Sequence, residues 1–464
     1  MNARELQHLY ARAGFGCATS QTEKLVIKSR EKVVDLLFKN AQNYKALQID
    51  LSAYDSLRNS NYKKLKKEIG QKKLRELQQK SRKEIKTLNV AWIHRMQYTD
   101  AVLREKMTLF WANVFVCKEK NIWFMQQYNN VLRQHALGNF RDFVKAISKE
   151  PAMLNYLNNR QNKKKSPNEN FARELMELFT LGTGNYSEKD IKEAARAFTG
   201  WSYRKKLASF YLDKANHDDG QKTFLGKTAN FGGEEIIDTI LKQKQCARYI
   251  CEKIYRYFVN PTVDEHHLEL LTAQFFEDYN IENLMRTVFL SDWFYDTKNQ
   301  GVKIKSPIEL LVGIHKTVPF NLIKPKQAIY LQKMMGQILL EPVNVAGWKG
   351  DRNWIDSNTL MFRMKLPSIL LNNAIINLDE KGDIEGTFEQ YYKKNKSKKR
   401  FLKTRVDWAS FDNNYKNYTV ADLKRNLIIS PINSDTDTLL SNLKISNKQD
   451  FCVQLMSIPE YQLC

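Results

Sequence analysis

Glycine and proline are scarce in this chain, 18 and 10 among 464 residues. Both punctuate turns, so their scarcity argues against many short strands. The long Leu-, Lys-, Glu- and Gln-rich stretches between them favour helix. Cysteine is scarce as well: Cys17, Cys117, Cys246, Cys251, Cys452 and Cys464 form no CxxC pair. A cysteine zinc site is therefore not indicated, and free thiols are expected. No apolar run reaches the roughly 20 residues that a membrane-crossing helix needs. Residues Met1 to Tyr10 lack the apolar core of a secretion signal, so a cytoplasmic location is expected. GxSxG, HExxH, phosphate-loop and dinucleotide fingerprints are missing too. That removes motif-based assignment without excluding any reaction.

What is present is an ordinary globular composition, 42% hydrophobic and 27% charged, with a net charge of +23. The charge is local. Arg58–Lys86, Arg160–Lys165 and Lys393–Arg405 together carry +21 of it. These runs lack the regular aromatic interleaving that stacks bases, so solvated faces are expected in preference to a nucleic-acid or polyanion surface. The pattern predicts a mostly α-helical, multi-helix single body over residues 1–464. It carries a basic helical arm at 58–89, bent at Gly70, and a basic mobile insertion at 378–406. Helices are expected over Glu5–Phe15 and Ser20–Lys39, through Trp92–Thr199, and from Gly233 to about Leu371. Between them, Trp201–Leu212 and the Asn216–Gly226 segment have the alternation and turn residues of a small β-hairpin element.

The stretch Pro167–Gly182 carries the densest polar pattern. Pro167 suits a first helical turn, Ser166 or Asn168 a cap, and Gly182 the far end. At 100° per residue Glu169, Asn170, Arg173, Glu174 and Glu177 share one arc, with Phe171, Leu175, Met176 and Phe179 opposite. Glu169–Arg173–Glu177 forms an i, i+4, i+8 ladder. Such a face is an ordinary solvated ion-pair row, or else a cleft wall able to bind a hard cation or supply an acid–base pair. Elsewhere, His217, Asp218 and Asp219 offer an imidazole and two carboxylates in one turn. They suit a divalent ion, or simply an Asx turn through Asp219-Gly220.

At these residues the sequence resembles the bacterial domain-of-unknown-function family DUF 1800. The resemblance rests on His8–Gly16, on Arg104–Met107 running on to Trp111 and Phe115, and on Arg133–Phe140. It continues through Asn168–Gly182, Ala197–Trp201, His217–Gly220, Lys305–Pro307 and Asn344–Trp348. In the family the tryptophan–phenylalanine block often carries histidines, where this chain has Ala112, Asn113 and Val114. The resemblance implies no established activity. It implies genes that lie beside a second uncharacterised family resembling sulfatases and alkaline phosphatases, many members being exported.

Two functions from different classes follow. The first is a hydrolase or transferase, assisted by a divalent metal ion. Glu169, Glu174, Glu177, Arg173 and His135 would be its catalytic groups, Asn170, Arg133, Trp111, Trp201 and Trp348 its binding groups, and His217, Asp218 and Asp219 its metal ligands. The second is a non-enzymatic partner, export or assembly factor for the neighbouring gene's product, in which the same charges form a structural network.

Overall fold

The computed structural model describes residues 1–17, 19–59, 62–373, 402–443 and 445–464. The protein is 63% helical, with only small two-strand antiparallel sheets. Local sequence sets the helix ends. Asn2 and Glu5 form a reciprocal capping box on the helix Ala3–Ala13, and Ser306 and Glu309 do the same on Pro307–Thr317. The stretch Ser20–Lys39, expected as one helix, is two, Thr19–Leu25 and Arg30–Gln42. The break is chemical. The Ser29 hydroxyl accepts the Lys32 amide at 3.4 Å, and a residue committed as N-cap starts a new helix.

The helix Gln71–Tyr98 is the longest among the described residues. Gly70, at φ +77°, joins it to the helix Tyr62–Ile69. Leu65 and Leu74 are buried on either side of that joint. Further along, Leu88, Trp92, Ile93 and Met96 enter the core, so one helix runs from a basic surface into the interior. The core itself is a continuous apolar cluster reaching from Leu6 to Tyr461. Its centre is aromatic: Trp111 packs on Phe115, Phe140 and Phe143, and Phe115 meets Phe179 edge-on at 5.5 Å.

Two hairpins follow the helix Glu188–Ala197. Trp201–Arg204 pairs with Ser209–Leu212, and Lys222–Phe224 with Lys227–Ala229. A third pair, Phe320–Leu322 with Thr404–Val406, lies outside the sequence expectation. Its second strand, Thr404–Val406, falls in the span read as a mobile insertion. The remainder of that span, 378–401, lies outside the described residues. Among the described residues no helix is long and apolar enough to cross a membrane.

Candidate functional site: a wide helical turn and its carboxylates

The segment 167–182 departs from the expected single α-helix in two ways. Pro167 and Asn168 precede the helix, which begins at Asn170. The Asn162 side chain explains the delay, because it holds the Asn168 amide at 2.9 Å while its own Nδ2 donates to Ala195 of the helix Glu188–Ala197. Asn168 in turn accepts the Asn170 amide at 3.1 Å, so Asn168 rather than Ser166 serves the start. Asn170–Glu174 is then α-helical, but Leu175–Thr180 is a π-helix. The Leu181 amide reaches the Met176 carbonyl five residues back at 2.8 Å, and the Thr180 hydroxyl reaches Leu175 O at 2.6 Å. Turns of this kind are rare and concentrate at functional sites.

Tyr249 stabilises the wide turn. Its hydroxyl donates to the carbonyls of Glu177 and Leu178 at 3.1 and 3.2 Å, which an α-helix would have satisfied internally. Gly182 ends the segment at φ +80° against the same ring. A Cβ there would lie 2.9 Å from Tyr249, so the position requires glycine twice over.

The altered period re-sorts the polar face. Arg173 makes the expected bond to Glu169 at 3.1 Å and a two-pronged pair with Glu188 at 2.8 and 2.9 Å. The expected Arg173–Glu177 rung is absent, because the π turn carries Glu177 away from the i+4 position. Glu177 instead accepts from the Tyr186 hydroxyl at 3.2 Å. Glu174, half-buried, has no hydrogen-bond or ion partner among the described residues. Burial, and then the Glu177 charge, raise its pKa above the ordinary carboxyl value, against an opposing pull from Arg173. Two neighbouring carboxylates thus have different environments: one has a phenol donor, the other has none.

Tyr156 lies in the field of both Glu174 and Cys117. Glu150, at the start of the helix Pro151–Tyr156, is the one buried carboxyl in this region with an empty oxygen. Oε1 accepts from Gln127 at 3.2 Å, whereas Oε2 is buried without a partner. Burial lifts its pKa to about 7. Nothing in the sequence pattern singles out Glu150.

The remaining expected site residues lie elsewhere. His135 stacks on Phe143 with ring centroids 5.5 Å apart, and the carboxylate acting on it is Asp142. His217 Nδ1 donates to the Thr199 carbonyl at 2.7 Å, which leaves Nε2 as the acceptor of the neutral ring. Asp218 is bound by Arg196 through both oxygens and accepts the Gly220 amide at 2.8 Å. The Asx turn is therefore built on Asp218, not Asp219. Asp219 projects into solvent, 3.9 Å from His217. Among the described residues no group of three His, Cys, Asp or Glu side chains is placed to hold a metal ion.

Arg133 faces the interior. Its guanidinium meets both oxygens of Glu105 at 2.7 and 3.2 Å, and Trp92 Nε1 adds a third donor to that carboxylate at 2.9 Å. Both partners are almost fully buried. Trp111 donates from Nε1 to Ala136 O, and Trp201 packs between Phe198 and Phe210. Trp348 is fixed through its backbone: Asn113 accepts its amide at 2.7 Å and donates to its carbonyl at 3.1 Å. All three tryptophans are buried. A Cβ on Gly347 would strike Asn113 at 2.3 Å. Asn113 thus clamps a loop 235 residues away.

A second charged centre surrounds Glu309, which the sequence reading did not single out. It accepts from Lys106, from Lys303 at 2.9 Å and from the Ser306 amide at 2.6 Å. Lys106 also donates to Gly14 O at 2.9 Å. Three separated motifs, His8–Gly16, Arg104–Met107 and Lys305–Pro307, therefore meet at one carboxylate.

The fold is mostly helical with small hairpins, and its charged groups gather at a π turn that carries Glu177 and follows Glu174, and at a buried centre around Glu309. The family model described as "Protein of unknown function (DUF1800)" matches residues 8–463, nearly the whole chain. The protein belongs to that family. No curated protein and no solved structure matches it.

Proposed function

We propose that the protein is an acid–base hydrolase or transferase working from the wide turn Leu175–Thr180. The observation that carries this reading is the pair Glu174 and Glu177. One carboxyl is raised by burial and by its neighbour and has no cation partner; the other is held by Tyr186. Neighbouring carboxyls in unlike environments can divide the roles of acid and base between them. Glu174, whose burial favours its protonated form, would deliver a proton to a leaving group, while Glu177, held by Tyr186, would activate the incoming nucleophile. Arg173, held by Glu169 and Glu188, would position an anionic or carbonyl substrate at the edge of the turn. A divalent ion, if one takes part, would have to draw ligands from the substrate as well as from these carboxylates.

The test is turnover of chromogenic carboxyl, phosphate and sulfate esters across pH. Activity should fall about 10²–10⁴-fold in Glu174→Gln. In Glu177→Gln the alkaline limb should move to lower pH, since removing the neighbouring charge lowers the Glu174 pKa. An unchanged rate in Glu174→Gln would refute the assignment. So would the absence of turnover together with an ordinary Glu174 titration by carboxyl-detected NMR.

A specific observation favours a second reading, a non-enzymatic partner, export or assembly factor for the product of a neighbouring gene. Several motif charges are closed within the protein, as Arg133 with Glu105, Lys106 with Glu309 and Arg196 with Asp218. On that reading the charged motifs fix the fold, and the adjacent product resembling sulfatases or alkaline phosphatases would be found in complex with this chain.

A further inference from the structure

The charge around Glu309 does not balance. Five cationic side chains, Arg12, Lys106, Lys303, Lys305 and Arg363, lie within the field of that carboxylate, and Cys464 also offsets the charge on Arg12, Lys305 and Arg363. Both Glu309 oxygens are already occupied by Lys106, Lys303 and the Ser306 amide. Donors are left over. Arg12 is fully buried, yet it uses only Nη2, on Asn299 O at 3.0 Å, and its Nε and Nη1 have no partner. Arg363, equally buried, donates from Nε and Nη2 to Gln462 and Lys305 O and leaves Nη1 free. Lys305 spends one proton on Tyr461 O at 2.6 Å.

A cavity of about 50 Å³ opens beside this cluster, lined by Lys305, Lys316, Glu309, Gln7, Thr317 and Asn426 among others. Because a water needs only about 10–15 Å³ on this measure, the space suits one tetrahedral oxyanion or about three to five waters. Lys316 carries no hydrogen bond or ion pair among the described residues. Cys17, on the same wall, has its thiol pushed up to about 12, mainly by burial, so it is neutral and does not repel an anion. Buried cations in excess of their carboxylates are unfavourable unless a counter-charge is supplied; of these five Lys305 lines the cavity, as does Lys316.

We infer that this cavity is an anion site, taking a phosphate or sulfate group between Lys305 and Lys316, with the Glu309 cluster supplying the field behind it. The site is separate from the wide turn and does not depend on the reading given to that turn. The group arrives either as the free ion or as the head of a small organic ester.

Isothermal titration and thermal unfolding of the full chain with inorganic phosphate, with sulfate and with glycerol phosphate test this. Saturable one-to-one binding is expected, with phosphate and sulfate competing and with no such effect from chloride at equal ionic strength. Lys316→Met, on the cavity wall, and Lys305→Met should each weaken binding about tenfold or more, the loss of one charge-assisted hydrogen bond. If Lys305→Met does not fold, Lys316→Met decides alone. Tighter binding of glycerol phosphate than of phosphate identifies an ester head group; the reverse identifies the free ion. Absence of saturable binding by all three probes, or unchanged affinity in Lys316→Met, overturns the proposal.

Discussion

Replacing Glu150 by Gln should stabilise the protein at alkaline pH and leave it unchanged in acid. The side chain is buried, Oε1 accepts from Gln127 and Oε2 has no partner. Burial raises its pKa from 4.5 to about 7. Between those values the folded state keeps a proton that the unfolded chain releases, so stability falls as pH rises through the window. A displacement of about 2.5 pKa units at 1.36 kcal/mol per unit corresponds to about 3 kcal/mol, fully developed above pH 7 and absent below pH 4.5. Gln is isosteric and neutral, and its carbonyl can still accept from Gln127. Urea unfolding of both proteins at about pH 4, 6 and 8 measures the difference. The two should coincide at the lowest pH and diverge progressively, with Glu150→Gln the more stable. A gap that does not change with pH, or a wild type more stable at pH 8, would refute the burial argument.

Glu309→Gln should cost about 3–5 kcal/mol in the same assay, because it leaves Lys106 and Lys303 charged and buried without their counter-charge. A loss within the ±0.5 kcal/mol typical of surface substitutions would show that the cations do not depend on it. Gly182→Ala places a methyl 2.9 Å from the Tyr249 ring in a left-handed backbone conformation. About 1–3 kcal/mol should be lost from the backbone conformation alone, with near-ultraviolet circular dichroism reporting the displaced tyrosine. An unaltered signal at full stability would contradict the packing described.

The sequence made the helical class legible because glycine and proline scarcity and helical spacing are local properties. A small β-hairpin element near Trp201 was legible for the same reason, though not that it forms two hairpins. Gly182 and Gly70 were readable as chain breaks, since a positive φ is something a single residue type announces. The beginning of the helix at Asn170 was not, because the Asn162 side chain that delays it comes from another turn. The π-helix was invisible in principle: spacing arguments assume 3.6 residues per turn, and the donor that stabilises the wider turn, Tyr249, lies about 70 residues further on. Arg133 and Glu105 could each be noted as charged, but their pairing depends on two helices crossing. Glu309 gave no signal beyond a capping pattern after Ser306, although it gathers residues from three distant motifs. Asn113 was legible only as one of three residues, Ala112 to Val114, between the aromatics, and its work on the Trp348 backbone emerges from tertiary structure alone.

The wide turn is, in arithmetic terms, an α-helix with one residue too many. Removing one residue between Leu175 and Thr180 would restore the ordinary period, bring a carboxylate back beneath Arg173 and withdraw the carbonyls that Tyr249 now receives. The unpaired Glu174 beside Glu177 is thus what a single inserted codon could produce from a common amphipathic helix. A one-residue deletion variant would revert it without altering any of the side chains that line the face.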